Sequence, residues 1–375
     1  MAGIYVHIPF CKKACHYCDF HFSTNTGYIN AMIEAIVWEL KLQKNYLQDE
    51  DINTIYFGGG TPSLLNKRQI NLILSEIYTN YHVTDSPEIT LEANPDDLTY
   101  DKVAAVKSCG INRLSIGVQS FDDKQLSFMN RAHTAREAIE SIRIAKSSGL
   151  NNITIDLMYG LPNSTLDSWT SDLAQAMALM VPHISAYCLT IEPRTVFGHR
   201  HKNKKLNPPE ENMVADQFEL LVRTLNENGY LHYEISSFCL PDMYSQHNSN
   251  YWKFKKYLGV GPSAHSFDGN SRQANFANNH LYLSKINEGA IPCQVEKLTL
   301  KDKANEYLLT SLRTHWGCDL YFLKNQFKVN LSKTHAKTID KYIDAGLIIE
   351  KNGVIYLTTR GKLVADNIIR DFFIL

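Results

Sequence analysis

Two hydrophobic rhythms alternate through the first half of the chain. Short apolar runs fall at 3–9, 52–57, 88–93, 113–118, 153–158 and 183–189. Each is one strand long and most are nearly continuous, as expected where a parallel sheet is covered on both faces. Between them, apolar residues recur every three or four positions. Ile29, Ile33, Ile36 and Leu40 form one such helical stripe, and others run over 67–78, 100–108, 135–147 and 166–180. Gly110 and Gly149 follow two of these stripes in C-cap position. Strand–helix repeats of this kind predict an α/β fold with a parallel sheet and right-handed crossovers. Ligands on such sheets bind beyond the C-terminal ends of the strands. Chemistry is therefore expected in the loops near residues 11, 58, 94, 119 and 159.

The second half reads differently. A polar stretch at 202–209 looks like a solvated connection, followed by a helix over 210–228 and a mixed region to about 295. Helical stripes at 301–313 and 332–345 then precede apolar runs at 347–350 and 354–357, split by Asn352-Gly353. Asn-Gly between two such runs is a hairpin signal. The order helix, helix, hairpin, helix predicts a winged-helix-like α+β domain. It lacks a basic recognition helix, so packing is its expected role rather than DNA binding. The expected division is a core at 1–205, an extension at 206–298 and a C-terminal domain at 299–375.

Bulk composition narrows the partners. The chain of 375 residues is 44% hydrophobic and 21% charged, an ordinary globular balance. A net charge of −1 provides no basic field for nucleic acid. No apolar run reaches the length of a membrane span, and none at the N-terminus reads as a signal peptide. Peripheral membrane association is left open. Of the eight cysteines, five (Cys109, Cys188, Cys239, Cys293 and Cys318) are scattered singly, as in a reducing compartment. A cytoplasmic protein is expected.

The other three cysteines cluster. Cys11, Cys15 and Cys18 lie on one short loop after the first strand. Three thiolates fit a [4Fe–4S] cluster with one iron left open, or a zinc site completed by His16 or His21. Gly58-Gly59-Gly60-Thr61 follows the second strand and lets the backbone approach a ligand closely. It is neither a Walker A loop nor a dinucleotide fingerprint. Glu92 ends the third strand, where a carboxylate can hold an ammonium or a ribose hydroxyl. Asp156 lies within the apolar run ITIDLMYG, where a charge needs either a buried partner such as an arginine or a ligand. Gln119 and Arg131 flank the loop GVQSFDDKQLSFMNRAH.

Taken in order, YVHIPFCxxxCxxC, FGGGTPS, LEANPDD, RLSIGVQSF, NRAH and IDLMYGLP resemble the oxygen-independent coproporphyrinogen III oxidase family of radical S-adenosylmethionine (SAM) proteins. The resemblance implies a partial (β/α)6 barrel and a [4Fe–4S] cluster on Cys11, Cys15 and Cys18 whose open iron binds SAM. It places Tyr5, Tyr17, Gly59, Gly60, Thr61, Glu92, Gln119, Arg131 and Asp156 on SAM-contacting positions. In the oxidase, Gln119, Arg131 and Asp156 would fall at a second SAM site.

The chain departs from the oxidase at Phe20, where the oxidase has a further cysteine, and in lacking its N-terminal extension. Both put porphyrinogen decarboxylation in doubt, while SAM cleavage stays plausible. The segment His247-Asn248-Ser249-Asn250-Tyr251-Trp252 is similar to the HNxxYW signature of the heme chaperone branch of the family. That resemblance implies heme bound by His247, Asn248, Tyr251 and Trp252, with His247 on the iron. Read alone, His247 is either such a ligand or a packed, hydrogen-bonded histidine, and His265, after the glycine-rich turn at 259–264, is an alternative ligand. It also implies an acceptor protein, which the sequence does not identify, and a homodimer linked to the cluster. The expected function is heme binding and transfer; the alternative is radical oxidative decarboxylation of coproporphyrinogen III.

Overall fold

The computed structural model describes residues 1–48 and 50–374. Six parallel strands lie side by side in chain order: β1 (Ala2–Ile8), β2 (Ile52–Gly59), β3 (Val83–Ala93), β4 (Arg113–Gln119), β5 (Ile153–Tyr159) and β6 (His183–Cys188). Five of the helices between them match the stripes read from sequence: α1 (Ile29–Leu42), α2 (Lys67–Asn80), α3 (Tyr100–Ser108), α5 (Ala135–Ser147) and α6 (Leu166–Ala178). Capping boxes start α2 at Asn66 and α5 at Thr134. The periodicity misses α4 (Asp123–Phe128), because so short a helix buries only Leu126.

The expectation of strands apolar on both faces needs correction. Ile4, Val6 and Ile8 of β1 share a buried core with Ile55 and Phe57 of β2, Ile153 and Ile155 of β5, and helix residues such as Ile36 and Ile142. The alternate positions turn to the other face. There the strands carry Tyr5, His7, Tyr56, Glu92, Gly117 and Asp156. One face is hydrocarbon under helices; the other is a concave wall of hydroxyls, imidazoles and carboxylates.

The chain continues through α7 (Val196–Lys202) and α8 (Glu211–Glu227), then extends the sheet at both edges. Beyond β6 lie β8 (Ser237–Cys239) and β7 (Leu231–Glu234). Beyond β1 lie β9 (Tyr257–Val260), β10 (His265–Phe267), β11 (Ser271–Asn275) and β12 (Cys293–Lys297). The 12-stranded sheet starts at β12 and ends at β7, a partial barrel rather than a closed one. Helix α9 (Gln246–Trp252) and α10 (Asn279–Asn287) complete this part.

The C-terminal segment folds around a second core that includes Leu308, Leu323, Ile339, Ile355 and Phe372. Helices α11 (Leu300–Ser311) and α12 (Leu320–Phe327) pack with a sheet ordered β13 (Cys318–Asp319), β15 (Val354–Leu357), β14 (Ile348–Lys351). Asn352 and Gly353 both have positive φ, as the hairpin signal requires. The stripe at 332–345 is broken at His335 into α13 (Leu331–Thr334) and α14 (Ala336–Asp344), and α15 (Thr359–Leu363) and α16 (Ala365–Asp371) end the chain's described helices. Among the described residues, no helix is long and apolar enough to cross a membrane.

Candidate functional site

The cysteine loop leaves the C-terminal end of β1 and is pinned at several points. The Cys11 N–H donates to the Ser23 carbonyl (3.0 Å), and the His16 N–H to that of Met129 (3.0 Å). The Asn130 amide donates to the Ala14 carbonyl (2.8 Å). Two further donors reach the sulfurs themselves. Thr61 Oγ1 donates to Cys11 Sγ (3.4 Å) and Arg131 Nη1 to Cys15 Sγ (3.3 Å). Burial, with neighbouring thiols adding to it, pushes Cys11 and Cys18 up to about 11. Metal coordination reverses that shift, since a bound thiol is deprotonated. Among the described residues, no three His, Cys, Asp or Glu side chains converge on one ion-sized point.

Arg131 organises the ground beside the loop. Its Nη2 donates to Asn94 Oδ1 (2.7 Å) and to the Gly117 carbonyl (2.7 Å), and its Nη1 also reaches the Tyr17 hydroxyl (3.3 Å). No carboxylate pairs with it among the described residues. Its charge thus faces the sulfurs. The alternative of a surface pair with Asp122 or Asp123 does not form: Asp122 caps α4, and Asp123 accepts from the Ala135 N–H (2.7 Å). Gln119 sits at the end of β4 with φ +68, a backbone strain typical of functional sites.

The glycines also allow a close approach within the protein. A Cβ on Gly60 would meet the Phe10 carbonyl at 2.6 Å and that of Ile8 at 2.8 Å. The close approach is to the base of the cysteine loop. Thr61 thereby reaches Cys11, and the Gly59 N–H donates to Glu92 Oε2 (3.2 Å). Glu92 also accepts from the Tyr56 hydroxyl (2.8 Å). Burial, and the nearby Asp156, push Glu92 up to about 7. Burial likewise pushes Asp156 up to about 6; its hydrogen-bond partners are hydroxyls, with Ser115 at 3.4 Å. Neither acid forms an ion pair with a described residue. Two unneutralised carboxylates on a concave wall can receive an ammonium and ribose hydroxyls.

A cavity of about 490 Å³ opens between the cysteine loop and the β9–β11 edge. Asp19, Phe20 and His21 form one side, and Tyr251, Trp252 and Phe254 of the α9 region form the other. Tyr5, His7, His265 and Phe267 line it as well. Phe254 and Ser263, both on its wall, have φ of +58 and +66. His265 makes no ring hydrogen bond among the described residues. Asn248 is placed elsewhere, in a separate cavity of about 310 Å³ that shares only Tyr251 and Trp252 with the first.

The structure turns His247 away from both cavities. It is only 1% exposed and lines neither cavity. Its Nδ1 bonds Thr54 Oγ1 (2.8 Å) and its Nε2 the Tyr251 hydroxyl (2.8 Å). Its ring stacks on Tyr56 at 5.0 Å. Both nitrogens are spent inside the fold, so this imidazole locks α9 onto β2.

Comparison with known proteins fits this geometry. Residues 5–175 match the radical SAM superfamily, and residues 298–364 match the HemN C-terminal domain. A protein of Lactococcus lactis named heme chaperone HemW is 34% identical over 99% of this chain and 97% of its own length. The chain belongs to the HemW family. The HemW of Bacillus subtilis is 32% identical over 99% of both chains. Coproporphyrinogen III oxidase from Escherichia coli, a radical SAM enzyme, superposes with a TM-score of 0.86 at 23% identity, covering 99% of this chain and 90% of that one. It shares the fold.

Membership of the HemW family and its radical SAM superfamily implies a [4Fe–4S] cluster and SAM, and the donor set described above fits both. Several residues here escaped the sequence reading. Tyr56 and His7 each stand two positions from a glycine or tyrosine that was singled out, so strand alternation alone would have found them. Asn94, which holds Arg131, lies in the loop near 94 where chemistry was expected, but its side chain was not singled out.

Proposed function

We propose that this chain binds heme and hands it to acceptor proteins, using a [4Fe–4S] cluster and SAM beside the heme cavity. The observation that carries this reading is the cavity itself. It is walled by Tyr251 and Trp252 of the HNxxYW segment and abuts the cysteine loop. Aromatic walls suit a flat macrocycle, and a free imidazole suits its iron. His265 takes the ligand role in place of His247. The HemW names of the relatives support heme as cargo.

Cys11, Cys15 and Cys18 would hold the cluster, and Tyr17, Gly59, Gly60, Thr61, Glu92, Gln119, Arg131 and Asp156 the SAM. When bound, these groups supply reductive chemistry. The chain's own part is positional. Arg131 offsets the charge of the thiolates, Glu92 and Asp156 offer acceptors, and Thr61 orients Cys11. Tyr5 belongs to both regions, since its hydroxyl bonds His7 Nδ1 (3.2 Å) on the cavity wall. Residues 206–298 supply the cargo wall and 299–375 a separate small domain in this reading. The acceptor, and the homodimer, are read from the family resemblance.

A second reading, oxidative decarboxylation of coproporphyrinogen III, draws support from the intact acidic wall. Phe20, 74% exposed at the cavity lip, counts against it, because radical chemistry needs a site closed to water. Anaerobic incubation of reconstituted protein with reductant, SAM and coproporphyrinogen III tests the two. The heme reading expects SAM cleavage without protoporphyrinogen, and transfer of bound heme to an apo-cytochrome. Accumulating protoporphyrinogen would overturn it.

A further inference from the structure

The least expected charge in the molecule is Glu39 of α1, which is 0% exposed and meets no cation among the described residues. Four donors surround its carboxylate instead. They are Gln43 Nε2 (2.8 Å), the Gly261 N–H (2.7 Å), Asn275 Nδ2 (2.7 Å) and the Tyr282 hydroxyl (2.5 Å). These come from the C-cap of α1, the turn after β9, β11 and α10. Desolvating a carboxylate costs several kcal/mol even when it is hydrogen-bonded. All four partners donate, two to each oxygen, so a carboxylate satisfies them all, whereas an amide would set its own N–H groups against two of them.

The bonds lead to the heme cavity. Asn275 Nδ2 also donates to the Gly261 carbonyl (2.9 Å), and the Asn275 N–H to the Ala264 carbonyl (2.8 Å). Gly261, at φ +100, lies against the His7 backbone: a Cβ there would meet the His7 carbonyl at 2.5 Å. Glu39 and Asn275 therefore clamp both ends of a four-residue turn, 261–264. Ser263 within it and His265 just after it face the cavity.

We propose that Glu39 is a positioning residue whose buried carboxylate holds the 261–264 turn so that His265 is presented to the heme. This rests on the heme reading above. Burial pushes Glu39 up to about 7, against the pull of its four hydrogen bonds. The ionisable groups facing it are Tyr282 on α10, Tyr81 after α2 and Cys293 on β12. None is a cation, so nothing fixes its charge. A proton taken up there removes an acceptor from one donor of the turn.

The test compares wild type, Glu39→Gln, Tyr282→Phe and His265→Ala, each as full-length protein with its cluster reconstituted. Heme affinity is read from the Soret band between pH 6 and 8, and amide hydrogen exchange is followed across 259–265. Glu39→Gln should bind heme about tenfold more weakly at pH 8, the worth of one charge-assisted hydrogen bond. It should exchange faster at the turn and lack the fall in affinity expected of wild type as pH drops through about 7. Tyr282→Phe removes one of the four donors, so it should move the wild-type midpoint to higher pH. It also serves if Glu39→Gln does not fold. Wild-type affinity and pH profile in Glu39→Gln, or an unmoved midpoint in Tyr282→Phe, would overturn the proposal. Should His265→Ala bind heme as wild type does, the ligand assignment fails and the proposal with it; should wild type bind no heme, the cargo reading fails, and exchange at the turn decides alone whether Glu39 holds it.

Discussion

Replacing His247 by alanine separates a structural imidazole from an iron ligand. The ring is 1% exposed and joins Thr54 of β2 to Tyr251 of α9. Its removal forfeits two hydrogen bonds at about 1 kcal/mol each and leaves the Tyr251 hydroxyl short of a partner. Thr54 keeps a weak donor in Asn250 Nδ2 at 3.4 Å. The cavity left between Tyr56 and Tyr5 adds a packing loss of about 3 kcal/mol, the lower end of the aromatic-to-alanine range, so the total comes to about 5 kcal/mol. The cap on α9 survives, because the backbone N–H groups of Gln246 and His247 donate to Glu88 (3.1 and 3.0 Å) and do not depend on the side chain. A fold of this size should lose roughly 5–10 °C in Tm, read by anaerobic thermal melting of the cluster-loaded protein. Heme affinity, titrated well below that transition, should change less than about threefold, which is under 1 kcal/mol. An unshifted Tm together with loss of the Soret band would refute the reasoning and return His247 to the iron.

Further outcomes follow from the cysteine loop and the acidic wall. Glu92→Gln should abolish SAM binding in equilibrium dialysis. Its folded pKa of about 7 lies above the ordinary value of 4.5, so the native carboxylate costs stability once ionised. That cost is absent below the ordinary value and complete above about pH 7, so the variant should be stabilised at pH 8 and not at pH 4. The gain should be on the order of 2 kcal/mol, less than the full shift, because the concave face is partly open to solvent. Gly60→Ala forces a methyl group onto the Phe10 and Ile8 carbonyls. Iron and sulfide content after reconstitution should fall well below half of wild type, while far-UV circular dichroism stays unchanged.

Much of the fold was legible because burial writes a period into the sequence. The six strands and five principal crossover helices each carry an apolar stripe, and Asn352-Gly353 marks its own turn. The edge strands β7 to β12 were not legible. They are short, and their pairing is antiparallel except between β9 and β1, so no strand–helix rhythm announces them. The cysteine loop and the acids showed because unusual residues in unusual places need a reason. His247 was ambiguous because a histidine between aromatic residues looks the same whether its nitrogens face an iron or a threonine. Only the fold places Thr54 under one nitrogen and the Tyr251 hydroxyl over the other. His265, by contrast, follows a glycine turn whose orientation depends on Glu39, more than two hundred residues earlier.

The central claim is that heme sits in the cavity between the cysteine loop and the α9 aromatics, with His265 on its iron. Anaerobic Soret titration of cluster-loaded His265→Ala beside wild type tests this most directly. The account predicts one heme per wild-type chain, and in the variant a shifted band with affinity at least about tenfold weaker, the loss of an iron–imidazole bond. Identical spectra and affinities for the two proteins would contradict it.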